Sequence, residues 1–282
     1  MRVAISVEST NDLSKDLLNK YDIKVIPFQI VLNDLNFTDG KYTNLELFEL
    51  VEKYKTLPKT NAINEFEYTE YFENLLKDYD AVIHLSMSSG ITSSCGNAIR
   101  AANNLENVYV IDSLSLTTGI GLLAIYAREL ADAGKNPQEI VDLVTDRIKN
   151  VQVSFVVERL DYLHKGGRCN SIQLLGANLL KIRPRIVLKD GKMSTDKKYK
   201  GPMGSVVSKY ATDLFAENNT PDLSRVFITY SSATEQMISA AVSACEEMGF
   251  KEIFQTITGG TVASHCGANT LGIVFFKDGK TC

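Results

Sequence analysis

The 282-residue chain has no long apolar run: no stretch approaches the roughly 20 residues that a membrane-spanning helix needs. Its first ten residues, MRVAISVEST, hold one basic residue, and the apolar stretch is too short for a secretory leader. A cytoplasmic protein with no stable membrane insertion is therefore expected. Positive charge is not in excess either. Thirty Lys and Arg face 34 Asp and Glu, a formal net charge of −4, where a nucleic-acid surface would normally be basic. The cysteines (Cys95, Cys169, Cys245, Cys266, Cys282) are odd in number and scattered, with no C-x-x-C pair, which favours free thiols over a disulfide framework. Histidine is scarce: His84, His164 and His265 have no partners at metal-ligand spacing. Walker-type and dinucleotide-type glycine patterns are missing as well. Neither a metal nor a resident cofactor is expected.

What remains is an ordinary globular composition, 44% hydrophobic and 23% charged, and enough length for one large or two ordinary domains. Short β-branched runs at Val3–Val7, Lys24–Leu32, Ala81–Met87 and Val108–Asp112 alternate with helical patterns at Asn44–Tyr54, behind Thr43 as cap, and Thr118–Ala131. Such alternation predicts a mostly parallel sheet with helices on both faces. A helix at Gln138–Ile148 follows Asn136-Pro137, and the pattern then restarts. Strands are expected at Val151–Val157, Arg225–Tyr230, Glu252–Ile257 and Leu271–Phe276. Helices are expected at Ser171–Ile182, Ser205–Ala216 and Glu235–Met248, and a hairpin over Pro184–Thr195 turning at Asp190-Gly191. The fold class is α/β, with two α/β domains at 1–150 and 151–282.

Ligands of parallel α/β sheets bind beyond the carboxyl ends of the strands. There the sequence places Ser86-Met87-Ser88-Ser89-Gly90-Ile91-Thr92-Ser93-Ser94, with hydroxyls on six of nine residues, leading into a helix at Cys95–Asn103. Hydroxyls and free N–H groups at a helix start suit a carboxylate or phosphate; a serine-rich turn with capping residues is the plainer alternative. The loop lacks the flanking glycines of a nucleophile elbow, yet a hydrolase or transferase using loop 86–94, with Thr92 or Ser93 as nucleophile, is the rival function. His164-Lys165-Gly166-Gly167-Arg168 lets the backbone turn and Arg168 project toward an anion or a partner, or else ends a helix with solvated charges. His265 falls in an expected loop. Eight basic residues within 181–200 fit a solvated hairpin.

Taken together, the segments resemble the DegV family across essentially the whole chain. The resemblance rests on Glu8-Ser9-Thr10-Asn11-Asp12-Leu13, Pro58-Lys59-Thr60, Ser88-Ser89-Gly90-Ile91-Thr92 and Val110-Ile111-Asp112-Ser113. Further along it rests on Leu160-Asp161-Tyr162-Leu163-His164-Lys165-Gly166-Gly167-Arg168, Ile182-Arg183-Pro184 and His265-Cys266-Gly267. It implies a non-catalytic lipid carrier of phospholipid metabolism that buries a long-chain fatty acid, such as palmitate, between two α/β domains. It further implies that Thr60 and Thr92 bind the carboxylate, with Ser93 beside them and His265 in support. A separate fatty acid kinase is the implied partner, docking at Arg168. The chain departs from the family pattern in four places. Thr92 stands where serine is usual and Ser93 where glycine is usual. Asn61-Ala62-Ile63 replaces Ser-Gln-Pro, and Cys266-Gly267-Ala268-Asn269 lacks the usual Gly-Pro-Gly.

Overall fold

The computed structural model describes residues 1–169 and 182–279. Its strands are β1 (Val3–Glu8), β2 (Ile23–Ile26), β3 (Gln29–Leu32), β4 (Leu35–Thr38), β5 (Lys59–Asn61), β6 (Ala81–Ser86), β7 (Val108–Asp112), β8 (Val151–Val156), β9 (Arg183–Lys189), β10 (Lys192–Tyr199), β11 (Arg225–Ser232), β12 (Glu252–Ile257) and β13 (Thr270–Phe276). The helices are α1 (Lys15–Lys20), α2 (Asn44–Tyr54), α3 (Glu65–Leu76), α4 (Ser94–Ala102), α5 (Thr118–Asp132), α6 (Pro137–Arg147), α7 (Asp161–Gly166), α8 (Met203–Glu217), α9 (Glu235–Met248) and α10 (Gly260–Cys266).

One sheet, ordered β2-β1-β6-β7, is parallel throughout. Every residue of β1 and β6 is buried, as a strand covered on both faces requires. Val3, Ile5 and Val7 pack with α5 and α6, while Ala4 and Val82 pack with α3 and α4 on the opposite face. A second, mixed sheet runs β10-β9-β8-β13-β11-β12, antiparallel except for the β11–β12 pair. One of its faces holds α8 and α9. Val153, Phe155, Phe227 and Val274 on its other face join the core that includes α5, so one apolar cluster runs through both halves of the chain. A small antiparallel sheet, β4-β3-β5, completes the fold.

Local chemistry accounts for many of the boundaries. Thr43 and Glu46 form a reciprocal capping box at α2, and Asn136 and Glu139 do the same at α6 with Pro137 in its first turn. The β9–β10 hairpin turns through Asp190 and Gly191, both at positive φ (49° and 74°), the two-residue turn that matches strand twist.

Three expectations need correction, and one strand was not expected. The single strand over Lys24–Leu32 is two strands in different sheets, parted at Pro27-Phe28, because proline cannot donate to a ladder. His265 is carried on a helix, α10, rather than in a loop. Thr60 sits on a strand, β5, that no periodicity announced. The basic hairpin is not wholly solvated: the Arg185 side chain is buried and bonded to Asp196 and Glu217. The helix expected at Ser171–Ile182 lies, apart from Ile182, outside the described residues.

Candidate functional site: a mixed polar and apolar cavity

The hydroxyl-rich loop leaves the carboxyl end of β6 and is fastened at its start. Glu8, buried at the end of β1, accepts hydrogen bonds from Tyr68 Oη (2.7 Å), Ser86 Oγ (2.6 Å) and the Met87 N–H (2.8 Å), and lies 3.3 Å from His84 Nε2. Burial pushes this carboxyl up. The hydrogen bond and attraction of His84, with the Ser86 and Tyr68 bonds, outweigh burial and hold it below the usual carboxylate range. Further along, Ser88 Oγ donates to the Gly191 carbonyl at the hairpin turn (2.6 Å). At the tip, Thr92 Oγ1 accepts from the Ser94 N–H (3.2 Å) and lies 3.1 Å from Ser94 Oγ. Ser94 Oγ in turn accepts from the Ile63 N–H (3.2 Å), and Asn97 Nδ2 donates to the Ile63 carbonyl (2.6 Å). The start of α4 is thereby stitched to the chain just after Thr60.

Helix α10 has no local side-chain cap. Carboxylates from the other half of the chain take that role: Asp12 accepts from the Gly259 N–H (2.7 Å) and Asp39 from the Gly260 N–H (2.7 Å). Asp12 also accepts from Thr117 Oγ1 (2.5 Å), and Asp39 from Ser9 Oγ (2.8 Å). Burial drives the Asp12 carboxyl well above its ordinary value. The Gly259 and Thr117 bonds oppose that rise, and the charge of Asp39 adds to it. Held this way, α10 brings His265 Nε2 within 2.9 Å of Thr60 Oγ1. The other face of the imidazole lies against Gly166. A Cβ there would stand 2.7 Å from His265 Nδ1, so only glycine lets α7 pack this close.

Thr60, Thr92, Ser93, His265 and Arg168 line one cavity of about 360 Å³. Phe28, Leu116, Phe155, Leu163, Met193 and Val262 supply its apolar walls. Arg168 follows Gly167, which ends α7 in the left-handed conformation, and its Nη1 donates to the Gly166 carbonyl (2.6 Å). Arg168, Thr60 and His265 also line a second groove together with Lys55, Lys59 and Lys165, with no acidic residue among its described walls. No carboxylate bonds His265 Nδ1, which has no partner among the described residues. Among the described residues, then, no carboxylate completes a nucleophile–base–acid relay at His265. No cluster of potential metal ligands occurs among the described residues.

Burial, reinforced by the charge of Arg168, pushes His265 down to about 4 from 6.5. Because the folded value lies below the unfolded one, the unfolded chain binds the extra proton between these limits. The resulting stability is present above pH 6.5 and is lost as pH falls toward 4, about 3 kcal/mol over the whole window. Asp12, shifted upward, acts with the opposite sign. Urea unfolding of the native protein and of His265→Gln at neutral and mildly acidic pH isolates the effect. The native protein is expected to lose more stability on acidification than the variant, and equal losses would contradict the assignment.

A model described as an uncharacterised protein of the DegV family matches residues 2–278. The chain belongs to the DegV family. Among DegV relatives, the fatty acid-binding protein of Thermotoga maritima is 28% identical over 298 residues, covering 96% of each chain. DegV of Bacillus subtilis, whose crystal structure is described as that of a fatty acid-binding protein, superimposes with a TM-score of 0.86 at 25% identity, over 98% of this chain and 99% of that one. A DegV-family protein of Thermus thermophilus, described by its fatty acid binding, reaches a TM-score of 0.90 at 22% identity over 98% and 99% of the two chains, a likeness of fold.

Sequence reasoning left several contributors without a role. Glu8 and Asp12 belong to a quoted family motif, and the structure shows the first anchoring the loop and the second anchoring α10. Ser94 was counted only as one hydroxyl of six. Phe28 falls in the expected run Lys24–Leu32 and Phe155 in the strand expected at Val151–Val157, while Leu116 and Met193 carry no signal of their own.

Proposed function

We propose that this protein binds one long-chain fatty acid, such as palmitate, and presents its carboxylate to a separate fatty acid kinase. The observation that carries the reading is the gathering of Thr60, Thr92, Ser93 and His265 at a cavity whose other walls are largely apolar. The fatty acid-binding relatives support the same ligand class. About ten buried methylenes contribute on the order of 8 kcal/mol before ordering costs. A buried carboxylate must be satisfied, and neutral hydroxyls do this without a salt bridge.

The unpartnered Nδ1 of His265 gives the pair a direction. A buried N–H without an acceptor is rarer than a bare acceptor, so the neutral ring carries its proton on Nε2. It then donates to Thr60 Oγ1 and leaves the Thr60 hydroxyl proton for the ligand. Thr92 is oriented likewise: its oxygen accepts from the Ser94 N–H, and with Ser94 Oγ, 3.1 Å away, donating to it as well, its proton is available to the second carboxylate oxygen. Ser93 stands at the N-cap of α4 with no side-chain bond to the helix, where free N–H groups favour an anion. In this reading Arg168, exposed beside the basic groove, is the docking residue for the kinase.

Titrating delipidated protein with palmitate tests the ligand, and saturation at one equivalent is expected. In a reaction with a fatty acid kinase, Arg168→Ala is expected to lower the phosphorylation rate far more than it lowers palmitate affinity. Equal proportional losses would assign Arg168 to ligand binding instead.

A further inference from the structure

Helix α10 brings Thr261, Val262, His265 and Cys266 to the main cavity, yet little in its own sequence fixes where it lies. We infer that Asp12 is a positioning residue for the head-group site. By tying the start of α10 to the start of α5, it holds His265 where a carboxylate is preferred over an uncharged head group. The inference rests on the fatty-acid reading above and names what selects the head group within it.

The helix is seven residues long, too short to be stable alone, and glycine stands at both of its ends. Gly259 and Gly260 open it. Gly267 closes it at φ 73° and ψ −179°, a conformation that glycine adopts freely. Its position is therefore set from outside, by the N-terminal half of the chain. Asn44 Nδ2 donates to the Thr258 carbonyl (2.9 Å), Asp12 accepts from the Gly259 N–H (2.7 Å), and Asp39 accepts from the Gly260 N–H (2.7 Å). Asp39 is only half-buried, so water can stand in for it. Asp12 is buried, and its bond has no such substitute.

Each oxygen of Asp12 serves a different part of the cavity. Oδ1 holds Gly259, six residues before His265. Oδ2 accepts from Thr117 Oγ1 (2.5 Å), at the N-cap of α5 and next to Leu116 of the cavity wall. Asp12 and Thr117 both sit at positive φ (53° and 50°), a region that a β-branched residue such as threonine rarely enters. The fold keeps two uncommon backbone conformations at the point where these side chains meet, which favours a role for the contact beyond filling space.

The lever is short but sufficient. Six residues at about 1.5 Å each put His265 roughly 9 Å along the helix from Gly259. A tilt of about 10° at the glycines would move the ring by roughly 1.5 Å. The 2.9 Å bond from His265 to Thr60 would then pass out of hydrogen-bond range. Thr60 would lose the donor that turns its hydroxyl proton toward a carboxylate. Phe28, Phe155, Leu163 and Met193 stand on other parts of the chain, so an uncharged head group on the same tail would bind as before.

The test is a displacement assay on the delipidated full chain with palmitate and hexadecanol, which share a chain length and differ in head group. The native protein is expected to bind palmitate at least about tenfold more tightly than hexadecanol. Asp12→Asn, which turns one acceptor into a donor, is expected to weaken palmitate binding at least about tenfold and hexadecanol binding by less than about twofold. In a His265→Gln background the same change is expected to cost palmitate less than about twofold, because both act through one bond. Asp12→Glu, which keeps the charge but lengthens the side chain, serves where the asparagine variant does not fold; a smaller loss with the same selectivity is expected. Equal proportional losses for the two ligands would make Asp12 structural only and overturn the inference. An unchanged preference in folded variants, or full additivity with His265→Gln, would overturn it as well. If palmitate binds and the preference does not depend on Asp12, the carrier reading stands and only the role of Asp12 falls. If neither ligand binds, both fall.

Discussion

Replacing Thr60 and Thr92 together with valine is expected to weaken palmitate binding by a factor of at least about a hundred while leaving the fold intact. A hydrogen bond to a charged group is worth about 1.5–3 kcal/mol, so losing two removes roughly 3–6 kcal/mol, with each 1.4 kcal/mol a factor of ten. Valine keeps the branched shape of threonine, so packing changes little. Neither position is buried, and neither belongs to an apolar core cluster, which limits the cost to stability. Thr60→Val alone should have the larger effect of the two single changes, because it also removes the partner of His265 Nε2. Displacement of a bound fluorescent fatty acid measures the affinities, and melting curves check the fold. Affinity within twofold of the native value would place the head group elsewhere.

The second large effect is expected at Glu8, which touches none of the cavity. Glu8→Ala removes the shared acceptor of Tyr68, Ser86 and the Met87 N–H, all of them buried. Stranding buried donors of this kind costs on the order of 3–5 kcal/mol. At about 2–4 °C per kcal/mol for a chain of this size class, the melting temperature should fall by roughly 10 °C. Palmitate affinity should fall with it, because the start of the hydroxyl loop loses its anchor. Glu8→Gln retains one acceptor but sets an amide against former donors, so an intermediate loss is expected. A melting temperature unchanged in Glu8→Ala would show that the loop is held by its other contacts, at Ser115 and Gly191.

The parts that could be read from the sequence were those with local causes. Helix α2 begins at Thr43 because its cap and Glu46 are three residues apart, and the β9–β10 turn follows from Asp190-Gly191. Strands β1 and β6 announced themselves as continuous apolar runs. The hydroxyl loop could be found for a similar reason, since its residues are adjacent. Helix α10 gave no such signal. It begins with two glycines, lasts seven residues, and draws its capping carboxylates from Asp12 and Asp39, more than two hundred residues away. Strand β5 is three residues long and owes its existence to β3. The Thr60–His265 bond spans 205 positions, so the family resemblance could name both residues while spacing alone could not join them.

The central claim is that a fatty acid occupies the cavity, and organic extraction of the protein as purified, followed by mass spectrometry, tests it most directly. The account predicts a long-chain fatty acid at close to one equivalent per chain, and its rebinding after delipidation. No extractable lipid, together with no binding of palmitate to the delipidated protein, would contradict it.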